Sequence, residues 1–263
     1  MENKKAIQQR FKKKSRDSIL AAGGVIFILV LWQILYVAGV FDRSLFPSPI
    51  KTFGAIFNTI YTGDIFPDIA ATLIRAMIGL LLATIMGVIA GLLLGVWKSA
   101  YTAFSFVLDF FRSTPVTTLY PVFVLIFGIK HLSKVAMVTW GCFFVIALNS
   151  AYGAMQAGQI RTQMAKLYGA SRFQVFRWIV FYGALPQTMI GLRVSLSYAL
   201  IIEVLCEMFM GSQYGLGQLV TEAYTTYAIE RLYGIILIVG LLGYLLNQAF
   251  VVAEERLGRW MRI

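Results

Sequence analysis

Residues 69–97 read IAATLIRAMIGLLLATIMGVIAGLLLGVW, an apolar run whose only charged side chain is Arg75. About 20 apolar residues are enough for a helix to cross the hydrocarbon core of a bilayer, so this run predicts a membrane-spanning helix. A small residue recurs at every fourth position, namely at Gly79, Ala83, Gly87, Gly91 and Gly95. These residues share one helix face and allow a second backbone to approach closely. The run therefore predicts a tight helix–helix contact, within one chain or between two.

Similar apolar runs before and after this one predict an all-α membrane protein with about six transmembrane helices. The predicted spans are residues 18–40, 69–97, 101–129, 134–157, 184–210 and 232–253. The first run exceeds the apolar core of a signal peptide, which is about 7–15 residues long, so we expect it to be a retained helix. Residues 18–263 are interpreted as a single transmembrane domain, preceded by a basic segment at residues 1–17.

Prolines predict interruptions of helical structure in two regions. The run 101–129 contains charged residues and Pro115, so we expect this helix to be kinked or broken near its middle. Residues 41–68 are more polar, and Pro47 and Pro49 interrupt a long helix across them. This stretch is predicted to be a loop.

The composition excludes a large soluble domain. Of the 263 residues, 59% are hydrophobic and only 13% are charged, whereas soluble domains carry about 25% charged residues. The net charge is +11, but seven of the 23 Lys and Arg residues lie before residue 17, directly ahead of the first apolar run. This placement predicts contact with anionic lipid headgroups and no binding of nucleic acid.

The distribution of cations also predicts the orientation. Fifteen Lys and Arg residues fall in the segments on one side of the predicted spans and five in those on the other. Because Lys and Arg concentrate on the cytoplasmic side of membrane proteins, we expect both termini to be cytoplasmic.

Residues 158–182 lie between two predicted spans and are amphipathic. Gly169 can adopt the left-handed conformation that ends a short helix. Ser171 and Gln174 have the spacing of a capping box at the start of the next helix. We therefore predict a helix–glycine–helix turn on the cytoplasmic side, with Met164, Leu167, Tyr168, Phe173 and Phe176 available for apolar contact. Such a turn could lie on the membrane surface or bind in a groove of a partner protein.

This segment resembles a known family motif. The sequence QMAKLYGAS at residues 163–171, followed by ALP at 184–186 and GLR at 191–193, is similar to the EAA loop of bacterial ABC-importer permeases. Further similarities to the nitrate/sulfonate/taurine/bicarbonate subgroup are FPSP at 46–49, TLIR at 72–75, FGIKHLSK at 127–134, EM at 207–208 and GLG at 215–217. Gln163-Met164-Ala165 stands where the family has Glu-Ala-Ala, and Tyr182 stands where proline is usual.

The resemblance implies an ABC type I importer permease fold in a prokaryotic plasma (inner) membrane. It also implies a second permease copy, two cytoplasmic ABC ATPase subunits and an extracytoplasmic solute-binding protein as partners. The positions it assigns to ATPase coupling are Gln163, Met164, Ala165, Lys166, Leu167, Tyr168, Gly169, Ala170 and Ser171. The sequence contains no G-x-x-x-x-G-K-[ST] phosphate loop. ATP and Mg are therefore expected on the ATPase subunits, and no cofactor is expected on this chain.

Charged residues inside the predicted spans are candidates for function, because each needs a partner or water. Arg112 lies near the expected break in the third span, and we expect it to line a solute pathway or to pin its helix, through Asp109 for example. The other pathway candidates are Ser113, Thr114, Thr117, Thr118, Tyr120 and Glu203. Arg75 and Glu207 are predicted to form a structural ion pair. An arginine suits a small anionic solute, whereas two acids near the entrance leave a neutral or cationic solute open.

Two other functions, an enzyme and a secondary transporter, have weaker support in the sequence. No H-E-x-x-H or G-x-S-x-G motif is present, and Cys142, Cys206 and His131 have no neighbours at metal-ligand spacing. The sequence therefore predicts no catalytic residues, no metal site and no enzyme activity, and His131 is assigned no role. An ion-gradient-driven secondary transporter remains the alternative, although no internal repeat is evident.

Overall fold

The computed structural model describes residue 20 and residues 22–257, and no strand occurs among them. The basic segment 1–17 and part of the predicted first span lie outside the described residues. The helices are α1 (Ala22–Val37), α2 (Pro49–Thr62), α3 (Phe66–Val96), α4 (Lys98–Ser113), α5 (Tyr120–Phe127), α6 (His131–Gln156), α7 (Gln159–Leu167), α8 (Arg172–Val175), α9 (Tyr182–Met210), α10 (Leu216–Thr225) and α11 (Ile229–Leu257). A 3₁₀ turn at Val116–Leu119 precedes α5, and a π-helical segment at Phe176–Phe181 joins α8 to α9.

The described residues contain four helices that are long and apolar enough to cross a membrane. They are Phe66–Val96, His131–Gln156, Arg172–Met210 and Ile229–Arg256. A fifth candidate is the bent pair formed by Lys98–Ser113 and Val116–Phe127. These five correspond to the second to sixth predicted spans. Helix α1 is apolar as predicted, but its described part is shorter than 18 residues.

The break predicted near Pro115 is confirmed. The two halves of this span meet at an angle of 89°. Thr114, which precedes the proline, has the extended backbone conformation that a following proline imposes (φ −74°, ψ 123°). Pro121 does not interrupt α5, because it lies in the first helical turn, where no backbone donor is lost.

The loop predicted at residues 41–68 is wrong in its middle, which forms α2. Pro49 lies in the first turn of this helix, and the Ser48 hydroxyl accepts a hydrogen bond from the Lys51 N–H at 3.3 Å. Because a proline at a helix start costs no hydrogen bond, it marks the beginning of α2 instead of preventing a helix. Helix α10 is a second short helix that the sequence analysis did not predict.

The glycine stripe of α3 packs against α6, so the tight contact predicted from the sequence lies within this chain. Gly79 faces Val138 of α6, and Gly95 faces Ala154. At Gly91 an added Cβ would lie 2.6 Å from the Ser150 Cβ, and it would also overlap the Ala147 carbonyl. No side chain fits between the two backbones at this position, since a backbone carbonyl has no rotamer into which it can move.

A buried carboxylate joins three parts of the fold. Glu207 of α9 is fully buried and lies 2.6 Å from the Arg75 guanidinium of α3. The Thr72 hydroxyl donates to the same carboxylate at 2.9 Å, and so does the Gly217 N–H of α10 at 2.9 Å. The structure thus brings together the two residues that were predicted to pair.

The turn that leads into α10 closes onto the same residues. The Gly215 N–H donates to Asp68 at 2.6 Å, and the Leu216 N–H donates to the Thr72 hydroxyl at 2.9 Å. Arg75 donates to the Tyr214 carbonyl at 2.9 Å. Gly215 has φ +152°, and an added Cβ would overlap the Glu207 carboxylate. These contacts form one charge cluster, which contains Asp68, Thr72, Arg75, Glu207 and Gly215.

Three further ionisable groups complete this charge cluster. His131 accepts a hydrogen bond from Arg75 Nε at 2.8 Å, so it does contact the cluster although the sequence analysis assigned it no role. Glu203 lies 3.6 Å from Arg75, and neither of its carboxylate oxygens has a hydrogen-bond partner. Lys134 of α6 is buried and interacts electrostatically with both glutamates. Arg75 of α3 thus contacts His131 of α6 and both glutamates of α9.

We predict that Gly91→Ala lowers the free energy of unfolding by about 2 kcal/mol, because the new methyl group is forced against the α6 backbone. Gly240→Ala in α11 is the matched control, since an added Cβ there has no atom within 4 Å. Thermal unfolding of the detergent-purified variants measures both effects. Equal midpoints for the two variants would contradict the close packing.

We also predict that Arg75→Gln costs about 3–5 kcal/mol, because it leaves buried carboxylates without their main cation. The double variant Arg75→Gln/Glu207→Gln should be less damaged than the single variant, since it removes one of those charges. The measurement is the thermal midpoint and the folded yield in detergent. A double variant whose loss equals the sum of the two single losses would show that the residues do not act as a pair.

Candidate functional site

All the predicted pathway residues except Glu203 lie around the bend in the broken span. Arg112 and Ser113 end α4, and Thr117 and Thr118 lie in the 3₁₀ turn that precedes α5. All four side chains are exposed, whereas Thr114 is half-buried. The bend thus exposes one cation and several hydroxyl groups.

The ion pair at this bend stays within one helix. Arg112 Nη2 lies 3.1 Å from Asp109 Oδ1 in α4, and the two side chains are 54% and 50% exposed. The alternative expectation, in which Asp109 helps to pin this helix to a neighbour, therefore has the wrong geometry. The hydroxyls of Thr114 and Thr118 donate to the carbonyls of Phe110 and Pro115 within the same turn.

A cavity of about 160 Å³ opens beside Arg112, and apolar side chains line most of it. Tyr120 lies half-buried and contacts the Phe209 ring of α9 at 6.3 Å between centroids. Glu203 does not join these residues, because it lies in the buried charge cluster 3.6 Å from Arg75. The pathway candidates are thus divided between an exposed bend and a buried cluster.

Residues 158–182 form the predicted helix–glycine–helix turn. Gly169 has the left-handed conformation (φ +81°) and follows α7. Ser171 and Gln174 form the predicted capping box, in which the Ser171 N–H donates to the Gln174 side chain at 2.8 Å and the Gln174 N–H donates to the Ser171 hydroxyl at 3.3 Å. Local sequence alone fixes this geometry.

The apex of the turn is apolar and exposed. The side chains of Leu167 and Tyr168 are each 87% exposed, and Met164 and Phe173 are also exposed. Phe176 is different from the prediction, because it packs half-buried against the body of the protein.

The base of the turn rests on the body of the protein. Ala165 and Ala170 are half-buried and pack on a cluster that includes Leu92 of α3 and Ala154 of α6. The remaining predicted coupling residues, Gln163 and Lys166, are exposed. The base of the turn therefore packs against α3 and α6, while its tip remains exposed.

Neither cysteine takes part in a site. Cys142 and Cys206 are free and buried in the packed helices. Among the described residues, no three His, Cys, Asp or Glu side chains are grouped so that they could hold a metal ion.

Comparison with known proteins gives a consistent assignment. Residues 83–263 match the model of the family described as "Binding-protein-dependent transport system inner membrane component". SsuC of Bacillus subtilis, named as an aliphatic sulfonates transport permease, is 28% identical over 89% of this chain and 84% of its own length. The taurine transport system permease protein TauC of Escherichia coli is 24% identical, with 98% and 96% covered. The nitrate import permease protein NrtB of Synechocystis sp. is 26% identical, with 90% and 88% covered.

The fold has a counterpart among solved structures. A chain of the MetNI methionine ABC transporter in an inward-facing conformation superposes with a TM-score of 0.65 at 20% identity, covering 73% of this chain and 95% of that one. This likeness supports the type I importer permease fold. The match over residues 83–263 and the likeness to these relatives agree. The chain therefore belongs to the family of binding-protein-dependent transport system inner membrane components, as an inner-membrane permease subunit of an ABC importer of the sulfonate/taurine/nitrate type.

Proposed function

We propose that this permease forms the solute pathway as a dimer and is driven by two ATPase subunits that bind the turn at residues 158–182. An extracytoplasmic binding protein delivers the solute. ATP and Mg are bound by the ATPases, and this chain binds no cofactor and has no catalytic site. The observation that carries the proposal is the exposed apolar apex at Leu167 and Tyr168.

An exposed apolar apex on a rigid turn is typical of a protein contact. Exposed apolar side chains on a defined turn are costly in water unless a partner covers them. The capping box and Gly169 fix the shape of the turn, so little ordering entropy is lost on binding. A groove on an ATPase that accepts a short amphipathic helix would complement this shape.

The turn is well placed to transmit a movement. From Arg172 the chain continues through the π-helical segment into α9 and runs to Met210 as one 39-residue span. The far end of this span carries Glu207 of the charge cluster. Closure of two ATPases around nucleotide would therefore move α9, together with the helices that pack against it, as one rigid body.

The bend in the broken span supports a pathway between two copies. An arginine that is half-exposed within a membrane span is costly against lipid. A second copy or a water-filled cavity facing Arg112 removes this cost. An arginine with hydroxyl groups beside it suits a small oxyanion, in keeping with the sulfonate, taurine and nitrate in the names of the relatives. We infer a small anionic solute as the cargo, with a small organic nutrient as the alternative.

The ATPase contact is tested with Tyr168→Ala. We expect about a tenfold or greater loss of ATP-dependent uptake, because a central aromatic contact is removed, with an unchanged thermal midpoint. Tyr61→Ala in α2 is the matched control, since Tyr61 is 81% exposed but lies away from the turn. The measurement is uptake into vesicles that contain permease, ATPase and binding protein.

Two results would overturn the ATPase contact. One is normal uptake by the Tyr168→Ala variant. The other is uptake that continues when ATP is depleted and stops when the proton gradient is removed, which indicates a secondary transporter.

The pathway role of Arg112 is tested with Arg112→Gln. We expect uptake of a sulfonate to fall about tenfold, the cost of one charge-assisted hydrogen bond, while the thermal midpoint stays unchanged. Lys51→Gln is the control, because Lys51 forms a surface ion pair with Glu230 at 3.9 Å. Parallel loss of uptake and stability would assign Arg112 a structural role instead.

A further inference from the structure

A large basic cavity lies behind the exposed apex of the turn. Its volume is about 700 Å³, and it is bordered by the end of α3, the end of α6 and the α7–α8 turn. Gly95 and Ala154 form part of its apolar wall, and Gln163 is among its polar residues. The solute pathway and the charge cluster do not use this space, whereas Gln163 and Lys166 are also predicted ATPase-coupling residues.

Three cations from separate places in the sequence line the cavity. Lys98 begins α4, whereas Lys166 and Arg172 lie on either side of Gly169 in the turn. None of the three forms an ion pair with an acidic side chain among residues 22–257. A pocket of several hundred Å³ with converging charged groups is typical of a ligand site.

The surrounding sequence offers these cations no counter-charge. Asp109 is the only acidic residue between Asp68 and Glu203, and it pairs with Arg112. No acidic side chain among residues 69–202 other than Asp109 can therefore neutralise these cations, which favours the binding of an anion. The first turn of α4 adds to it, because no side chain caps its backbone donors.

The cavity lies at the level where the membrane spans end. Its lining includes Val96, the last residue of α3, and Met155 near the end of α6. Trp97 lines it and is exposed, and Arg177 stacks on the exposed Trp178 ring at 5.5 Å nearby in the sequence. Exposed tryptophans are typical of the membrane–water interface, which is the depth of lipid phosphate groups.

We propose that this cavity is a binding site for a phosphate-bearing anion, either the headgroup of an anionic phospholipid or a soluble phosphate ester. Lys98 holds the anion from the body of the protein, and Lys166 and Arg172 hold it from the turn. A bound phosphate therefore bridges the turn to the start of α4. Occupancy of the cavity then controls coupling to the ATPases. This part of the proposal rests on the proposed function above, whereas the binding of the anion does not.

The test uses the full chain purified in a neutral detergent, without ATPase subunits. Thermal unfolding is followed while short-chain phosphatidylglycerol, short-chain phosphatidylcholine or glycerol phosphate is added. We expect a saturable rise of the midpoint with phosphatidylglycerol and none with phosphatidylcholine, because a ligand that binds only the folded state stabilises it. A similar rise with glycerol phosphate identifies a soluble ester as sufficient, and its absence identifies the lipid.

The double variant Lys98→Gln/Arg172→Gln should bind phosphatidylglycerol about tenfold or more weakly, since each interfacial cation contributes to attraction of an anionic lipid. Arg177→Gln is the matched control, because it removes a cation of the same segment that does not line the cavity. If the double variant does not fold, Lys98→Gln alone gives the same comparison.

Equal responses to phosphatidylglycerol and phosphatidylcholine would overturn the proposal. Equal responses of the Lys98 variant and the Arg177 variant would also overturn it. These results are independent of the Tyr168→Ala experiment. Loss of coupling with intact phosphatidylglycerol binding, or the reverse, therefore separates the two proposals.

Discussion

The contact between Arg75 and Glu207 is the constraint on which the arrangement of the helices depends. A carboxylate buried at 0% exposure needs a cation and hydrogen-bond donors, or its burial is prohibitively costly. Here one guanidinium, one hydroxyl and one backbone N–H meet it from α3 and α10. The turn into α10 then has a single position, since Gly215 lies against the carboxylate and donates to Asp68. Side chains 132 and 135 residues apart in sequence are held within hydrogen-bond distance in this way.

The packing of α3 against α6 forms part of a rigid core, and two exposed surfaces lie outside this core. Glycines along α3 bring its backbone against α6, and α6 packs against α9 through the same buried core. The bend around Arg112 and the turn around Gly169 lie outside this core and expose polar and apolar groups respectively. The core provides the stable frame, and the two exposed surfaces are those that the proposed function assigns to the solute and to the ATPases.

The features that local sequence could predict are those fixed by neighbouring residues. The long apolar runs gave the spans, Pro115 gave the break, and Ser171 with Gln174 gave the capping box. Helices α2 and α10 escaped prediction because they are short, and the prolines before α2 were interpreted as breakers, although Pro49 starts the helix. The roles of His131 and Asp68 depend on partners more than fifty residues away, which no local pattern specifies. The half-exposure of Arg112 likewise depends on tertiary packing.

The π-helical segment at Phe176–Phe181 affects how the turn before it is oriented relative to α9 after it. A π-helical turn holds one more residue than an α-helical turn, and so rotates everything before it relative to everything after it. The angle of the Tyr168 tip relative to Glu207 therefore depends on this segment. A relative that gained or lost a single residue here would carry its tip at a different angle, while the membrane-embedded half kept its packing.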